Sequence, residues 1–169
     1  MLGLDPGSLR TGYGLIEIDG AELRHLAHGV IDVRGNELAP RLRRIHAEVT
    51  ILTAPAPPFL TLEVAIERGF MHRNADSALK LAQARGAALA ALPEGAEVFE
   101  YAPRAIKLAT VGYGAADKTQ VAQMVARLLA IAAGIAHADA ADALAVALCH
   151  ANSRRLLQWV AAGQSAGQS

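Results

Sequence analysis

The stretch FLTLEVAIE, residues 59–67, alternates: Leu60, Leu62, Val64 and Ile66 share one side, and Thr61, Glu63, Ala65 and Glu67 share the other. A period of two predicts a strand over 59–67 that ends at Glu67. A short apolar run over residues 1–5 stops at Asp5-Pro6-Gly7, and TGYGLIEI (11–18) reads as a second strand. Asp19-Gly20 signals a hairpin into a third strand over 22–33. On that strand His25 and His28, three apart, are expected on opposite faces. Leu38, Leu42, Ile45, Val49 and Leu52 recur at helical spacing and predict a helix over 38–53, which APAPP (54–58) breaks. After the loop RGFMHR, Asn74 caps a long helix over 74–92, with Pro93 beyond its end. EVFEYAP (97–103) is a fifth strand, and helices fill 103–110, 117–131 and 139–160. Three strands, then helix, strand, helix, strand and helices, predict an α/β fold. Its mixed five-stranded sheet joins an antiparallel meander to parallel strands reached by helical crossovers. One domain over 1–162 and a flexible tail over 163–169 are expected.

Composition narrows the class. Just over half of the 169 residues are apolar (53%), which excludes a disordered chain. Cys149 is the single cysteine, so no intramolecular disulfide forms and a reducing cytoplasm is the expected location. The start, MLGLDPG, lacks the pattern of a secretory leader. The most apolar helical stretch, 119–136, carries Gln120, Gln123 and Arg127, so no membrane span is expected. Net charge is zero, but residues 68–127 hold eight Lys or Arg against five Asp or Glu. A neutral total can hide a basic face beside an acidic pocket.

Four carboxylates suggest that pocket. Asp5 and Glu67 end predicted strands, and parallel neighbours bring such ends to one edge, where open α/β sheets place ligands. Asp139 and Asp142 lie three apart on one helix face, with Cβ atoms about 5–6 Å apart. Singly, each has an ordinary explanation: a turn at Asp5-Pro-Gly, a solvated strand end at Glu67, an N-cap and an acidic first turn at Asp139 and Asp142. Together they would repel unless cations sat between them, and hard oxygen ligands suit Mg²⁺ or Mn²⁺. Two ions roughly 3.5–4 Å apart would make a phosphoryl-transfer site. Glu63 shares the face of Glu67 but lies roughly 13 Å away at about 3.3 Å per residue. One ion cannot bind both, and Glu67 is the better placed.

The blocks GLDPGSLRTGYG, AIERGFMHRNADSALKLAQARG, VFEYAPRAIKLATVG, DKTQVAQMV and ADAADALAVALCH resemble the RuvC family of Holliday-junction resolvases, in the family's order and over most of the chain. The resemblance implies an RNase H-like fold, a homodimer, and cleavage of four-way junction DNA with Mg²⁺, two ions per subunit, Mn²⁺ being an alternative. It implies paired nicks, one from each subunit, that leave 5′-phosphate and 3′-hydroxyl ends in recombination and repair. A branch-migration complex is the implied partner. The family's acidic ligands carry over onto Asp5, Glu67, Asp139 and Asp142. Some relatives have a histidine where Asp139 stands, and ERGF departs from the more usual uncharged residues after the glutamate. Lys107 and Lys118 carry over as catalytic and phosphate-contacting residues, although each alone reads as an ordinary surface lysine. Phe70, in the basic loop between Arg68 and Arg73, could be a core residue; the resemblance makes it a probe of the junction centre. Arg73 and Lys80 are further candidates for DNA contact, and Arg85 for phosphate contact or a dimer interface. The dimer is expected on the 74–92 helix, through Ala78, Leu81, Ala82, Ala88, Leu89 and Leu92. His137, two residues before Asp139, could reach an ion or the scissile phosphate. Two rival readings remain: an ATP-binding protein of the actin and sugar-kinase type, which needs a second such domain, and a noncatalytic junction binder, which does not need four carboxylates.

Overall fold

A computed structural model describes residues 1–20, 22–35, 37–54, 62–68 and 74–166, with side chains as far as Arg154. Three strands open the chain: β1 (Leu2–Pro6), β2 (Arg10–Asp19) and β3 (Glu22–Asp32), with β2 antiparallel to both neighbours. β4 (Glu63–Glu67) lies parallel to β1, and β5 (Glu97–Tyr101) parallel to β4, giving the order β3-β2-β1-β4-β5. The mixed five-stranded sheet expected from the pattern is therefore present. Helices α1 (Leu38–Thr53) and α2 (Ala75–Ala90) cover one face. α5 (Ala138–Ala166) covers the other, with α3 (Pro103–Val111) and α4 (Lys118–Leu128) packed against it. Among the described residues no helix is long and apolar enough to cross a membrane.

Close packing of α5 explains its alanines. A Cβ on Gly3 would lie 2.0 Å from the carbonyl oxygen of Ala143, and one on Gly12 1.9 Å from that of Asp139. On Gly14 it would lie 2.5 Å from Leu144 Cδ2. Bare glycine backbone in β1 and β2 thus receives a helix face of Ala140, Ala143, Leu144 and Ala147, all fully buried. Cys149 is buried in the same layer, as a small apolar residue would be, and burial pushes its thiol up to about 11.

Several expectations need correction. The fourth strand begins at Glu63, not 59, while residues 59–61 and most of APAPP (55–58) lie outside the described residues. Alternation put Ala65 on a polar side, yet Val64, Ala65 and Ile66 are all 0% exposed. A central parallel strand is covered by helices on both faces, so alternation has no solvent side to report. His25 and His28 share a face, with His28 Nδ1 2.8 Å from His25 Nε2. The register runs Leu15↔Ala27 and then Ile16↔His25, so Leu26 is an extra residue that reverses the alternation. The helix read to 131 ends at Leu128, where Ala130 takes φ 51 and Ile131 N–H bonds back to Ala126 O at 2.8 Å. An alanine fills the left-handed position where glycine is the usual signal.

α5 continues to Ala166, past the boundary read at 162, and residues 167–169 lie outside the described residues. Gly163 costs a helix about 1 kcal/mol, too little to stop one already propagating. On α2, Asn74 does cap the helix, accepting from the Asp76 and Ser77 amides. Of the side chains expected at a dimer face, Ala88 is buried in the chain's own core, and Leu89 and Leu92 pack against it. The outward face is Leu79, 63% exposed, with Ala82 and Gly86.

Candidate active site

β1 and β4 run in the same direction, so Asp5 and Glu67 reach the same edge of the sheet. Leu4 pairs with Ile66, which sets Asp5 beside Glu67 one step further along. Gly3 faces α5, and Asp5, two residues on, shares that face. Gly12 is directly opposite Asp5 in β2, and the first turn of α5 lies on it through the Asp139 carbonyl. The contact that seats the helix thereby brings Asp139 to Asp5. Asp139 stands in that first turn, where the helix dipole favours an anion. Asp142, three residues on, takes a hydrogen bond from Lys118 Nζ at 2.8 Å. Lys118 opens α4, just after Asp117, whose capping box with Gln120 fixes that helix start.

The electrostatics tie the four carboxylates together. Burial, then the charges of Asp142, Glu67 and Asp139, push Asp5 from 3.8 up to about 7, against a smaller opposing pull from Lys118. Burial and Asp142 also raise Glu67, opposed by Lys118 and by Lys107 on α3. The hydrogen bond to Asp142 raises Lys118 in turn. On the other flank Arg10 Nη1 lies 3.9 Å from Asp139 Oδ2, and Arg10 Nε lies 3.6 Å from Asp32 Oδ2. Asp32 is held well below the usual carboxylate range, chiefly by side-chain bonds from Arg34.

Oxygen-only donors fit a hard cation such as Mg²⁺ or Mn²⁺, and the upward pressure on Asp5 is what a cation would relieve. Among the described residues no three His, Cys, Asp or Glu side chains are gathered closely enough to hold one ion as they stand. Lys118 holds Asp142, and Arg10 flanks Asp139. Bound ions would draw the carboxylates together at the expense of those contacts.

Other expected residues fall differently. Lys80 pairs with Asp76 Oδ2 at 2.6 Å, four residues back on the exposed side of α2. Phe70 and Arg73 lie outside the described residues. The carbonyl of His137 accepts from Ala141 N–H at 3.1 Å at the head of α5. Glu63 is engaged at the opposite end of β4: His150 Nε2 is 3.2 Å from its Oε2, and Arg154 Nε is 3.0 Å from its Oε1. Tyr101 Oη in turn lies 2.6 Å from His150 Nδ1. With Nε2–H donated to the carboxylate, Nδ1 accepts from the tyrosine.

Arg10 was not marked as a site residue by the sequence, and Arg85 was marked only for phosphate contact or an interface. Nothing local singles out Arg10. Arg85 had a signal, since it stands at helical spacing between Leu81 and Ala88 on the inner side of α2. Its Nη1 donates to the main-chain oxygen of Glu67 at 2.6 Å and its Nη2 to Glu100 Oε1 at 2.7 Å. Those bonds tie α2 to the end of β4 and to β5.

A family model described as Crossover junction endodeoxyribonuclease RuvC matches residues 1–150. A relative of that description from Acinetobacter baumannii (strain ATCC 17978) is 51% identical over 154 residues, covering 90% of this chain and 83% of the relative. Another, from Chromohalobacter salexigens, is 48% identical over 156 residues, covering 92% and 82%. The solved structure of T. thermophilus RuvC in complex with Holliday junction substrate superposes with a TM-score of 0.82 at 35% identity, covering 92% of this chain and 94% of that one. Fowlpox virus resolvase, solved with substrate Holliday junction DNA, shares the fold at a TM-score of 0.55 and 13% identity, covering 90% of this chain and 98% of that one.

Proposed function

The chain belongs to the RuvC family of crossover junction endodeoxyribonucleases, and from that premise we propose how its acidic edge works. The fold is RNase H-like, and the activity is endonucleolytic resolution of four-way (Holliday) DNA junctions in recombination and repair. Asp5, Glu67, Asp139 and Asp142 are the ligand set for divalent ions, two Mg²⁺ per subunit, with Mn²⁺ able to replace them. Bound at these carboxylates, divalent ions would supply Lewis acidity for activating water and for stabilising charge on the leaving 3′-oxygen. The chain's own residues prepare the ground. β1, β4 and α5 hold the carboxylates at one edge, Lys118 offsets the charge of Asp142, and Lys107 that of Glu67. Both ammonium groups are free to meet phosphate once cations replace them at the acids. The observation that carries this reading is the convergence on one sheet edge of Asp5 and Glu67, at adjacent ends of parallel β1 and β4, with the α5 turn bearing Asp139 and Asp142 seated on Gly12 opposite Asp5.

Paired nicks call for two sites related by a two-fold axis, as a C₂ dimer supplies. The outward face of α2, with Leu79, Ala82 and Gly86, suits close approach of a second copy. Phe70, just before that helix, would then reach the junction centre beside Arg73. A branch-migration complex would deliver the junction, in a reducing cytoplasm that suits the buried free thiol of Cys149.

The test is a synthetic four-way junction in Mg²⁺. Asp142→Asn should lose cleavage while keeping or improving junction binding in EDTA, since it removes a ligand and a charge that repels DNA. Glu63→Gln should cut normally. Near-full cleavage by Asp142→Asn would overturn the ligand set, and no cleavage by the native chain in any divalent ion would leave the noncatalytic reading standing.

A further inference from the structure

Glu67 sits where the sheet runs out. The pairing of β1 with β4 ends at Leu4↔Ile66, so the next carbonyl along β4, that of Glu67 itself, lies beyond the ladder. Arg85 takes it, through the 2.6 Å bond from Nη1. The N–H of the same peptide unit belongs to Arg68, and it donates to Tyr101 O at 2.7 Å on the β5 side. One peptide plane is therefore gripped at its oxygen by α2 and at its nitrogen by β5. That plane sets ψ of Glu67, the last backbone torsion before the chain leaves the strand. With the plane fixed, the Cα–Cβ bond of Glu67 has one direction, toward the face that carries Asp5.

Arg85 reaches this carbonyl from α2, on the sheet face opposite α5. Its second arm is held by Glu100 Oε1 at 2.7 Å, and its side chain is only 17% exposed. Glu100 pairs with Ile66 in β5, so the anchor is itself part of the sheet. The bonded group is a carbonyl and not a carboxylate. Arg85 can therefore hold Glu67 without occupying either ligand oxygen, unlike Lys118, which takes an oxygen of Asp142.

We propose that Arg85 is a positioning residue that holds the Glu67 peptide so that its carboxylate is ready to bind a divalent ion. The inference rests on the reading of Glu67 as a ligand. It also links α2, the helix that follows Phe70 and Arg73 in the sequence, to the acidic edge through one side chain.

The test is Mn²⁺ binding to the full chain without DNA, followed by calorimetry and by the spectrum of free Mn²⁺. Arg85→Met keeps the aliphatic stem and should raise the Mn²⁺ dissociation constant roughly tenfold, as loss of a group that orients a ligand does. Arg85→Lys, which retains one donor, should recover most of the affinity. Glu100→Gln, which loosens the anchor, should weaken Mn²⁺ in the same direction but less. Junction binding in EDTA should be unchanged in all three, and excess Mn²⁺ should restore cleavage. Arg85→Met or, if it does not fold, Glu100→Gln with native Mn²⁺ affinity would overturn the proposal; Arg85 would then only staple α2 to the sheet. If Glu67→Gln leaves Mn²⁺ binding untouched in the native background, the ligand assignment itself fails and this inference falls with it.

Discussion

Asp5 carries the largest electrostatic strain of the edge, and its position has a thermodynamic consequence. An acid with a folded pKa near 7, against an ordinary 3.8, binds its proton more tightly in the folded state. It therefore favours the fold at low pH, and the penalty builds as pH rises from about 4 to about 7, then stays constant. Asp5→Asn should stabilise the metal-free protein by about 2–4 kcal/mol at pH 8, with little effect at pH 4. Urea unfolding in EDTA at pH 4, 5.5 and 8 checks this, and divalent ions should shrink the gain. An equal gain at every pH would mean that packing, not charge, is responsible. At this scale the sequence was informative about the acids and poor about their supports. Carboxylates at strand ends, or three apart on an alanine helix, conflict with burial and so stand out. Arg85 bonds a main-chain atom eighteen residues away, and such a bond leaves no mark at the other partner.

Between elements, the decisive contact is α5 on β1 and β2. Glycine and alanine at the crossing bring helix and sheet together, and the same crossing carries Asp139 and Asp142 to Asp5. Gly12→Ala would place a methyl 1.9 Å from the Asp139 carbonyl oxygen and 2.4 Å from its carbon, both rigid backbone atoms. The head of α5 has to move. Stability should fall by about 1–3 kcal/mol, the usual cost of overpacking. Cleavage should fall further than the unfolded fraction explains, because Asp139 and Asp142, two of the four proposed ligands, move with the helix. Thermal melting compared with cleavage on the same preparation separates the two, and a proportional loss would mean that the ligands did not shift. Helices with periodic apolar spacing were legible almost to the residue: 38–53 is read and found. The glycines in β2 were legible as a strand, but not as a docking stripe, since that depends on a helix over a hundred residues later. The Leu26 bulge and the left-handed Ala130 carry no local signal, so the His25–His28 pair and the end of α4 were misread.

Across the whole molecule, the zero net charge conceals a division of labour. The acids of the edge are flanked by Lys107, Lys118 and Arg10, whose charges are partly engaged there, while Lys80 is matched on its own helix by Asp76. DNA affinity should therefore depend on salt through the first group more than through Lys80. Each phosphate contact releases counterions, and losing one flattens the log–log slope of affinity against salt by about 1. Lys107→Ala should show that change in junction binding, measured across a salt series in Ca²⁺. Lys80→Ala should leave the slope nearly native, because removing the lysine also frees a carboxylate whose repulsion changes affinity without adding a released ion. An exposed i,i+4 pair is worth only about 0.3–0.5 kcal/mol, so DNA could pull it apart if the track ran that way. Equal flattening by the two variants would show that it does. The strand path would then cross the exposed side of α2 as well as the acidic edge, and the proposed dimer face on that helix would have to shift away from Lys80.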